Sequence, residues 1–214
     1  MSIKRISQIR EDFKKSKIDF INSPDHPLSM FNDWFEMALA SDKDNAISFV
    51  LSTVSSKNIP SSRLVLLRDL NENGFVFFTN YESSKSKDIE SNNMVAANFF
   101  WDKLEKQVRI TGKAIKISAS DSDNYFYSRP RESQLGAWAS KQSSIINLDY
   151  KLMNKIDEYK GIFKGKKVER PLHWGGYCIH PEKIEFWQGR PSRLHDRLVF
   201  IKNKDNWKKE RLSP

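Results

Sequence analysis

Residues 46–80, AISFVLSTVSSKNIPSSRLVLLRDLNENGFVFFTN, decide the fold. Three runs rich in β-branched and aromatic residues, 46–54, 62–69 and 74–80, are separated by KNIP and NENG, whose Asn, Pro and Gly suit hairpin turns. They predict three consecutive strands. Downstream, MVAANFFW (94–101) and KQVRITGKAIKIS (106–118) continue the meander after a short polar helical piece, SSKSKDIESN. YCIH, KIEFWQG and RLVFIKN supply the last strands near the C-terminus. The pattern predicts a mainly β protein with flanking helices, a small antiparallel barrel.

Upstream, Leu28, Phe31, Phe35 and Leu39 mark a helix with Pro27 near its start, set off by the breakers Asn22, Ser23, Pro24 and Asp25. Ile3, Ile6, Ile9 and Phe13 recur at three and four residues, so the first seventeen residues read as a short amphipathic arm. Ser118, three residues before Asp121, resembles a capping box opening a helix through DSDNYFYS that Pro130 ends. The stretch RPRESQLGAWASKQSS (129–144) shows no periodicity and reads as a binding loop. Without repeats, low-complexity tracts or an internal linker, the chain divides into an arm or lid over 1–25 and a single domain over 26–214.

With 38% hydrophobic, 12% aromatic and 29% charged residues, the 214-residue chain has the make-up of a globular domain able to bury a core. No apolar stretch has bilayer length, and the N-terminus MSIKRISQIREDFKKSK lacks a signal-peptide core. Together with the lone Cys178, which reads as a small buried apolar side chain, these features lead us to expect a cytoplasmic protein. The net charge of +9 admits nucleic acid, an acidic membrane surface or small phosphorylated molecules as partners. Residues 151–170 hold seven basic and three acidic residues in a helix-like setting, which reads as a solvated face. Arg63, Arg68, Lys85, Arg129, Arg193 and Arg197 instead stand singly among strand-like or turn-like residues. Isolated cations suit discrete phosphates better than a polymer track, so neither nucleic acid nor membrane is expected as partner.

Several chemistries lack their motifs. There is no GxGxxG, KGIFKGKK has its glycines too close together for a P-loop, and no GxSxG elbow occurs. His26, His173, His180 and His195 are scattered without HExxH or cysteine companions, so no metal site is expected. The most informative stretch is FWQGRPSRLHDR (186–197), where alternation places Arg193, His195 and Arg197 on one side of a strand. An imidazole between two cations would favour its neutral form and could orient an anionic ring. The alternation alone leaves open a histidine in a polar surface strand.

SRLVLLRD, FFTNYESSKSKDIE, EKQVRITG, YFYSRPRESQLGAWASKQSS, WGGYCIHPEKIEFWQG and RLHDR, ending in ERLSP, resemble the pyridoxamine 5'-phosphate oxidase family in order and spacing from about residue 5 to the C-terminus. The resemblance implies an FMN-binding split β-barrel and a homodimer with two FMN sites at the subunit interface, its C-terminal segment serving dimerisation and the active site. It also implies oxidation of pyridoxine or pyridoxamine 5'-phosphate by O2 to pyridoxal 5'-phosphate. Arg63 and Lys85 match positions that hold the FMN phosphate, with Ser84, Gln142 and Ser143 beside them. The backbone of Arg63, Leu64, Val65, Leu66, Leu67 and Arg68, with Phe78, Thr79, Gln107, Trp187 and Arg197, matches the flavin surroundings. Tyr125, Arg129, Ser133 and Arg68 match the substrate-phosphate pocket, and Arg10 a residue of the N-terminal segment over the site. Arg193 and His195 match the residues that cover the pyridine ring and are the catalytic candidates.

Three positions depart from the family pattern. Arg68 stands where lysine is usual, Ser84 where an arginine beside the FMN-phosphate lysine is common, and Phe13 where tyrosine is frequent. The alternatives carried beside the oxidase are a split-barrel flavoprotein with another substrate, a pyridoxal 5'-phosphate carrier, and a basic nucleic-acid module using 151–170.

Overall fold

A computed structural model describes residues 12–214. Nine strands are present among them: β1 Ser48–Val54, β2 Pro60–Leu66, β3 Asp69–Asn71, β4 Gly74–Asn80, β5 Met94–Trp101, β6 Lys106–Lys116, β7 Trp174–Gln188, β8 Asp196–Asn203 and β9 Asn206–Leu212. Six α-helices flank them: α1 Pro27–Ser41, α2 Lys43–Ala46, α3 Ser84–Ser91, α4 Ala119–Ser128, α5 Arg131–Ala139 and α6 Leu152–Ile162. The strands hydrogen-bond in the order β2-β1-β5-β6-β7-β4-β3, with β8 on β7 and β9 on β8. The mainly β class with flanking helices is the one the sequence predicts.

Strands β1, β5 and β6 follow period two, whereas β4 is buried along nearly its whole length. In β5, Val95, Ala97, Phe99 and Trp101 are buried while Ala96 and Phe100 are exposed. Both quoted turns form. Asn58 takes a left-handed φ of 60° in KNIP, and Gly74, at φ 138°, closes the two-residue hairpin whose register pairs Asn71 with Gly74. The start at Pro27 and the Ser118 cap are as read: Ser118 Oγ accepts from Asp121 N–H at 3.0 Å, and the cap ahead of Pro27, not foreseen, is the His26 ring, which accepts from Leu28 N–H.

The described chain sorts into two compact units, one holding the chain up to Phe49 with Ala97–Thr111 and Pro181–Pro214, the other Val50–Ala96 with Gly112–His180. In the first, α1 buries Met30, Phe31, Trp34 and Ala38; Phe31 packs edge-on to Phe99, and Trp34 edge-on to Phe186. The β7–β8 register pairs Trp187 with Arg197. In the second, Phe126, Leu135, Val168 and Trp174 form a core under α4 and α5. There β4 pairs antiparallel with β7, setting Phe78 opposite Gly176.

Four readings need correction. Residues 129–144 are not one loop: α5 begins after Pro130, carries Glu132 in its first turn and buries Gln134, Leu135 and Ala139, spaced one and four residues apart. The serines and Gly136 masked a short apolar face. Arg193 and His195 do not lie on a strand with Arg197. Pro191–Arg193 is a 3-10 turn in which Ser192 and Arg193 have φ of 57° and 61°, and β8 starts only at Asp196. YCIH and KIEFWQG are one fifteen-residue strand running through Pro181, and β9 extends the C-terminus beyond the strands predicted. The helix in 151–170 stops at Ile162. The amphipathic arm over residues 1–17 falls largely outside the described residues.

Candidate functional site

The second unit holds a cavity of about 890 Å³. On one flank, β2 presents Arg63 and the first turn of α3 presents Lys85. The Arg63 guanidinium donates to Thr53 Oγ1 at 2.7 Å and to Ser61 Oγ at 2.7 Å, and stands 4.0 Å from Asp88. Lys85 is 8% exposed, and its ammonium donates to Thr79 Oγ1 at 3.0 Å, Ser83 Oγ at 3.1 Å and Gln142 Oε1 at 3.2 Å. Among the described residues no carboxylate forms an ion pair with it. Burial, and then the Arg63 charge, push its pKa down to about 8. A buried, uncompensated cation beside a second cation is a ready partner for a phosphate dianion, and that donor set fits the FMN phosphate. Ser84 lines the same cavity, as does Ser143, whose φ of 70° places a non-glycine in left-handed backbone.

A second cationic corner is built by the end of α4 and the start of α5. Arg129 caps α4 with its guanidinium carbon 4.5 Å from the centre of the Trp174 ring. One of its terminal nitrogens, Nη1, is buried without a hydrogen-bond partner. Burial holds Arg129 below the usual arginine range, with neighbouring Arg68 lowering it further and Tyr125 opposing. Tyr125, Ser133 and Arg68 line the cavity beside it. An unsatisfied guanidinium nitrogen, a hydroxyl pair and a second guanidinium are the donors a phosphate monoester needs. An aromatic shelf lines the same cavity and carries Arg129. Phe78 stacks on Tyr125 with centroids 3.8 Å apart and on Trp174 at 5.4 Å. Gly176 permits it, since a Cβ there would come within 2.9 Å of the Phe78 ring and 2.5 Å of Ile117 Cδ1.

Leu64, Val65 and Leu66 also line this cavity, whereas Leu67 is buried away from it. The remaining candidates lie in the other unit. His195 precedes β8, and its Nδ1 accepts from the Arg190 N–H at 3.1 Å, so the neutral ring carries its proton on Nε2. Burial lowers its pKa, the Arg193 charge lowers it further, and Asp196 opposes them. The expectation of a neutral imidazole has its main cause in burial rather than in flanking cations. The His195 ring lies 4.6 Å from that of Trp187. Arg193 is exposed in the strained turn. Arg197 donates Nε–H to Glu185 at 2.9 Å and Nη1–H to Ser213 O at 3.0 Å. Gln107 is half-buried on β6, and Arg10 lies outside the described residues.

Residues 38–155 match the family model described as pyridoxamine 5'-phosphate oxidase. A pyridoxine/pyridoxamine 5'-phosphate oxidase of Haemophilus influenzae is 46% identical over 98% of this chain and 99% of its own length. The chain belongs to the pyridoxine/pyridoxamine 5'-phosphate oxidase family. Within it, a relative of the same name from Trichormus variabilis is 44% identical over 98% of both chains. Residues 174–214 match the model of the family's C-terminal dimerisation region. Two solved structures share the split-barrel fold. PhzG of Burkholderia lata, in complex with tetrahydrophenazine-1-carboxylic acid, has a TM-score of 0.87 at 23% identity, covering 95% of this chain and all of its own. An FMN-binding protein of Nostoc punctiforme related to pyridoxamine 5'-phosphate oxidase has 0.71 at 14% identity, covering 86% and 97%.

Some residues that build the site escaped sequence reading. Trp174 is the shelf under Arg129, Thr53 and Asp88 steady Arg63, and Glu185 holds Arg197. Each is remote in sequence from the residue it serves, and only Trp174, in an aromatic-rich motif, left a signal.

Proposed function

We propose that the chain oxidises pyridoxine or pyridoxamine 5'-phosphate to pyridoxal 5'-phosphate, with FMN bound and O2 as acceptor. The observation that carries this reading is the lining of one cavity by two cationic pairs, Arg63 with Lys85 and Arg129 with Arg68, together with the stacked rings of Phe78, Tyr125 and Trp174. Two phosphates and planar rings between them are what an FMN–vitamer pair would present. When bound, FMN supplies the hydride acceptor and passes the electrons to O2. Pyridoxine 5'-phosphate and O2 then give the aldehyde and H2O2; the amine consumes one water as well and releases ammonia.

In this reading Lys85 and Arg63 anchor the FMN phosphate, with Gln142, Ser143 and Ser84 around it, while Gln107, Trp187 and Arg197 face the flavin. Arg129, Tyr125, Ser133 and Arg68 anchor the substrate phosphate, so the ring is positioned by its remote end. His195, with Nδ1 committed to the Arg190 N–H, presents Nε2–H as a single donor. Together with Arg193 it is suited to the ring's electron-rich oxygen. We further infer a homodimer whose FMN sites are lined from both chains, a reading supported by the match of residues 174–214 to a dimerisation region.

The deciding experiment is aerobic turnover of pyridoxine 5'-phosphate with added FMN, following aldehyde and H2O2 together. Parallel appearance that vanishes without FMN supports the oxidase. Tight yellow FMN binding without product retains the cofactor and rejects the substrate, and no flavin binding rejects both.

A further inference from the structure

We propose that Glu105 is a positioning residue for the His195 turn, acting through Phe13. Glu105 is 7% exposed and ends the 3-10 turn Asp102–Leu104 with a left-handed φ of 56°. One carboxylate oxygen, Oε2, accepts the main-chain N–H groups of both Lys14 and Lys15 at 2.8 Å. Two consecutive donors on one ionised acceptor form a charge-assisted clamp on a segment that belongs to no helix or strand.

The main chain of the same residue grips the other side. Glu105 O accepts from Gly189 N–H at 2.8 Å and from Gln188 Nε2 at 3.1 Å. Gln188 is fixed in turn by the buried Lys106 ammonium, which lies 3.9 Å over the Trp34 ring. Glu105 therefore ties the 13–15 segment and the turn after β7 to one point. The consequence falls on Phe13, whose ring packs edge-on to Trp187 at 5.5 Å and to His195 at 5.9 Å. The fit leaves no spare room: a Cβ on Gly189 would lie 2.6 Å from Phe13 Cβ and Cγ. Two further contacts hold the same segment, Arg190 Nη1–H to Ser16 O at 3.0 Å and Ile18 N–H to Asp196 Oδ2 at 3.2 Å. Arg190 and Asp196 flank His195 on both sides, so the segment is referenced to the imidazole, not merely to the surface.

The kinetic part of the test rests on the oxidase reading; the proteolytic part does not. In the full-length FMN-loaded protein, Glu105→Ala should raise KM for pyridoxine 5'-phosphate about tenfold with a smaller change in kcat, the loss expected of charge-assisted hydrogen bonds. Trypsin should cut after Lys14, Lys15 or Lys17 about tenfold faster, read by mass spectrometry. Glu105→Gln keeps a carbonyl oxygen for both N–H groups but not the charge, and should recover part of both losses. Phe13→Ala should reproduce the KM change, and the double variant Glu105→Ala with Phe13→Ala should be no worse than either single change. Wild-type KM and cleavage in Glu105→Ala would overturn the proposal. So would multiplied effects in the double variant, or a Gln variant as impaired as Ala and melting equally early. If the wild-type protein does not turn over pyridoxine 5'-phosphate, the oxidase reading fails while the trypsin comparison still decides the clamp.

Discussion

The Arg129 guanidinium carbon lies 4.5 Å over the Trp174 ring while its Nη1 is buried without a hydrogen-bond partner. Stacking fixes the plane of the fork, and the orphaned nitrogen defines where an anion oxygen belongs. Arg129→Ala should raise KM for pyridoxine 5'-phosphate by roughly ten- to a hundredfold, the size of one or two charge-assisted hydrogen bonds. Arg129→Lys should recover only part of this, because an ammonium restores charge but not the planar fork. FMN affinity should stay within about twofold in both, measured by flavin fluorescence quenching. Equal losses for FMN and substrate would place Arg129 at the wrong phosphate.

Lys85, pushed down to about 8 from its ordinary value of 10.5, makes the phosphate corner sensitive to alkaline pH. In the FMN-free protein the ammonium is lost as pH rises through about 8, so affinity for FMN should fall between pH 8 and pH 10. Stability should move the other way. Between the folded pKa near 8 and the unfolded value of 10.5 the unfolded chain binds more protons, so this group's contribution to stability rises with pH. Lys106, also held at about 8 by burial, adds to the same trend. Denaturant melts of apoprotein at pH 8 and 10, with Lys85→Met as control, should show a smaller gain for the variant. A wild-type protein that loses stability over this range without a separate cause would contradict the assignment.

How much of this was legible in the sequence depended on how local each signal was. The hairpins at KNIP and NENG, the period-two burial of MVAANFFW and the Ser118 cap are decided within a few residues, and the chain follows them. Arg63, Arg68 and Arg129 were legible in the cavity because they stand singly among strand-like or turn-like residues, whereas Lys85 sits on helix α3 with Lys87 two residues on and was legible through the family resemblance. The turn at Ser192 and Arg193 was not, since strict alternation is also what an isolated strand would show, and only the positive φ values break it. Helix α5 was hidden because its buried face is built from Gln134, Leu135 and Ala139 rather than from a run of large apolar residues. Contacts such as Glu185 to Arg197 depend on the β7–β8 register, which no local pattern specifies.

That register sets Glu185, only 3% exposed, between two guanidinium groups, Arg197 at 2.9 Å and Arg109 at 3.3 Å. A buried carboxylate with two cations is costly to break from either side. Glu185→Ala should destabilise the protein by about 3 kcal/mol, since it leaves the half-buried Arg197 without its anion. Arg109 is more than half exposed, and Arg109→Ala should cost under about 1 kcal/mol. Urea denaturation of the two variants checks the order, and equal losses would show that Glu185 is held by Arg109 rather than holding Arg197.

The His195 ring provides the last prediction, because its two nitrogens have different duties. Nδ1 accepts from the Arg190 N–H at 3.1 Å, and protonation there would set two donors against each other. Burial and the Arg193 charge both lower its pKa below 6.5, so the neutral ring dominates at pH 7 and is lost only as pH falls through the depressed value. The acid limb of kcat/KM for pyridoxine 5'-phosphate should therefore lie below pH 6.5. Replacing Arg193 by Gln removes a like charge, which must raise the His195 pKa, so the limb should move to higher pH even as overall activity drops. Moving the limb by removing a neighbour that cannot itself titrate there ties it to the imidazole. An acid limb at the same pH in wild-type and Arg193→Gln protein would mean that another group, or protonation of the substrate itself, governs the low-pH loss. His195 would then serve by packing against Trp187 and Phe13 rather than through its Nε2 proton.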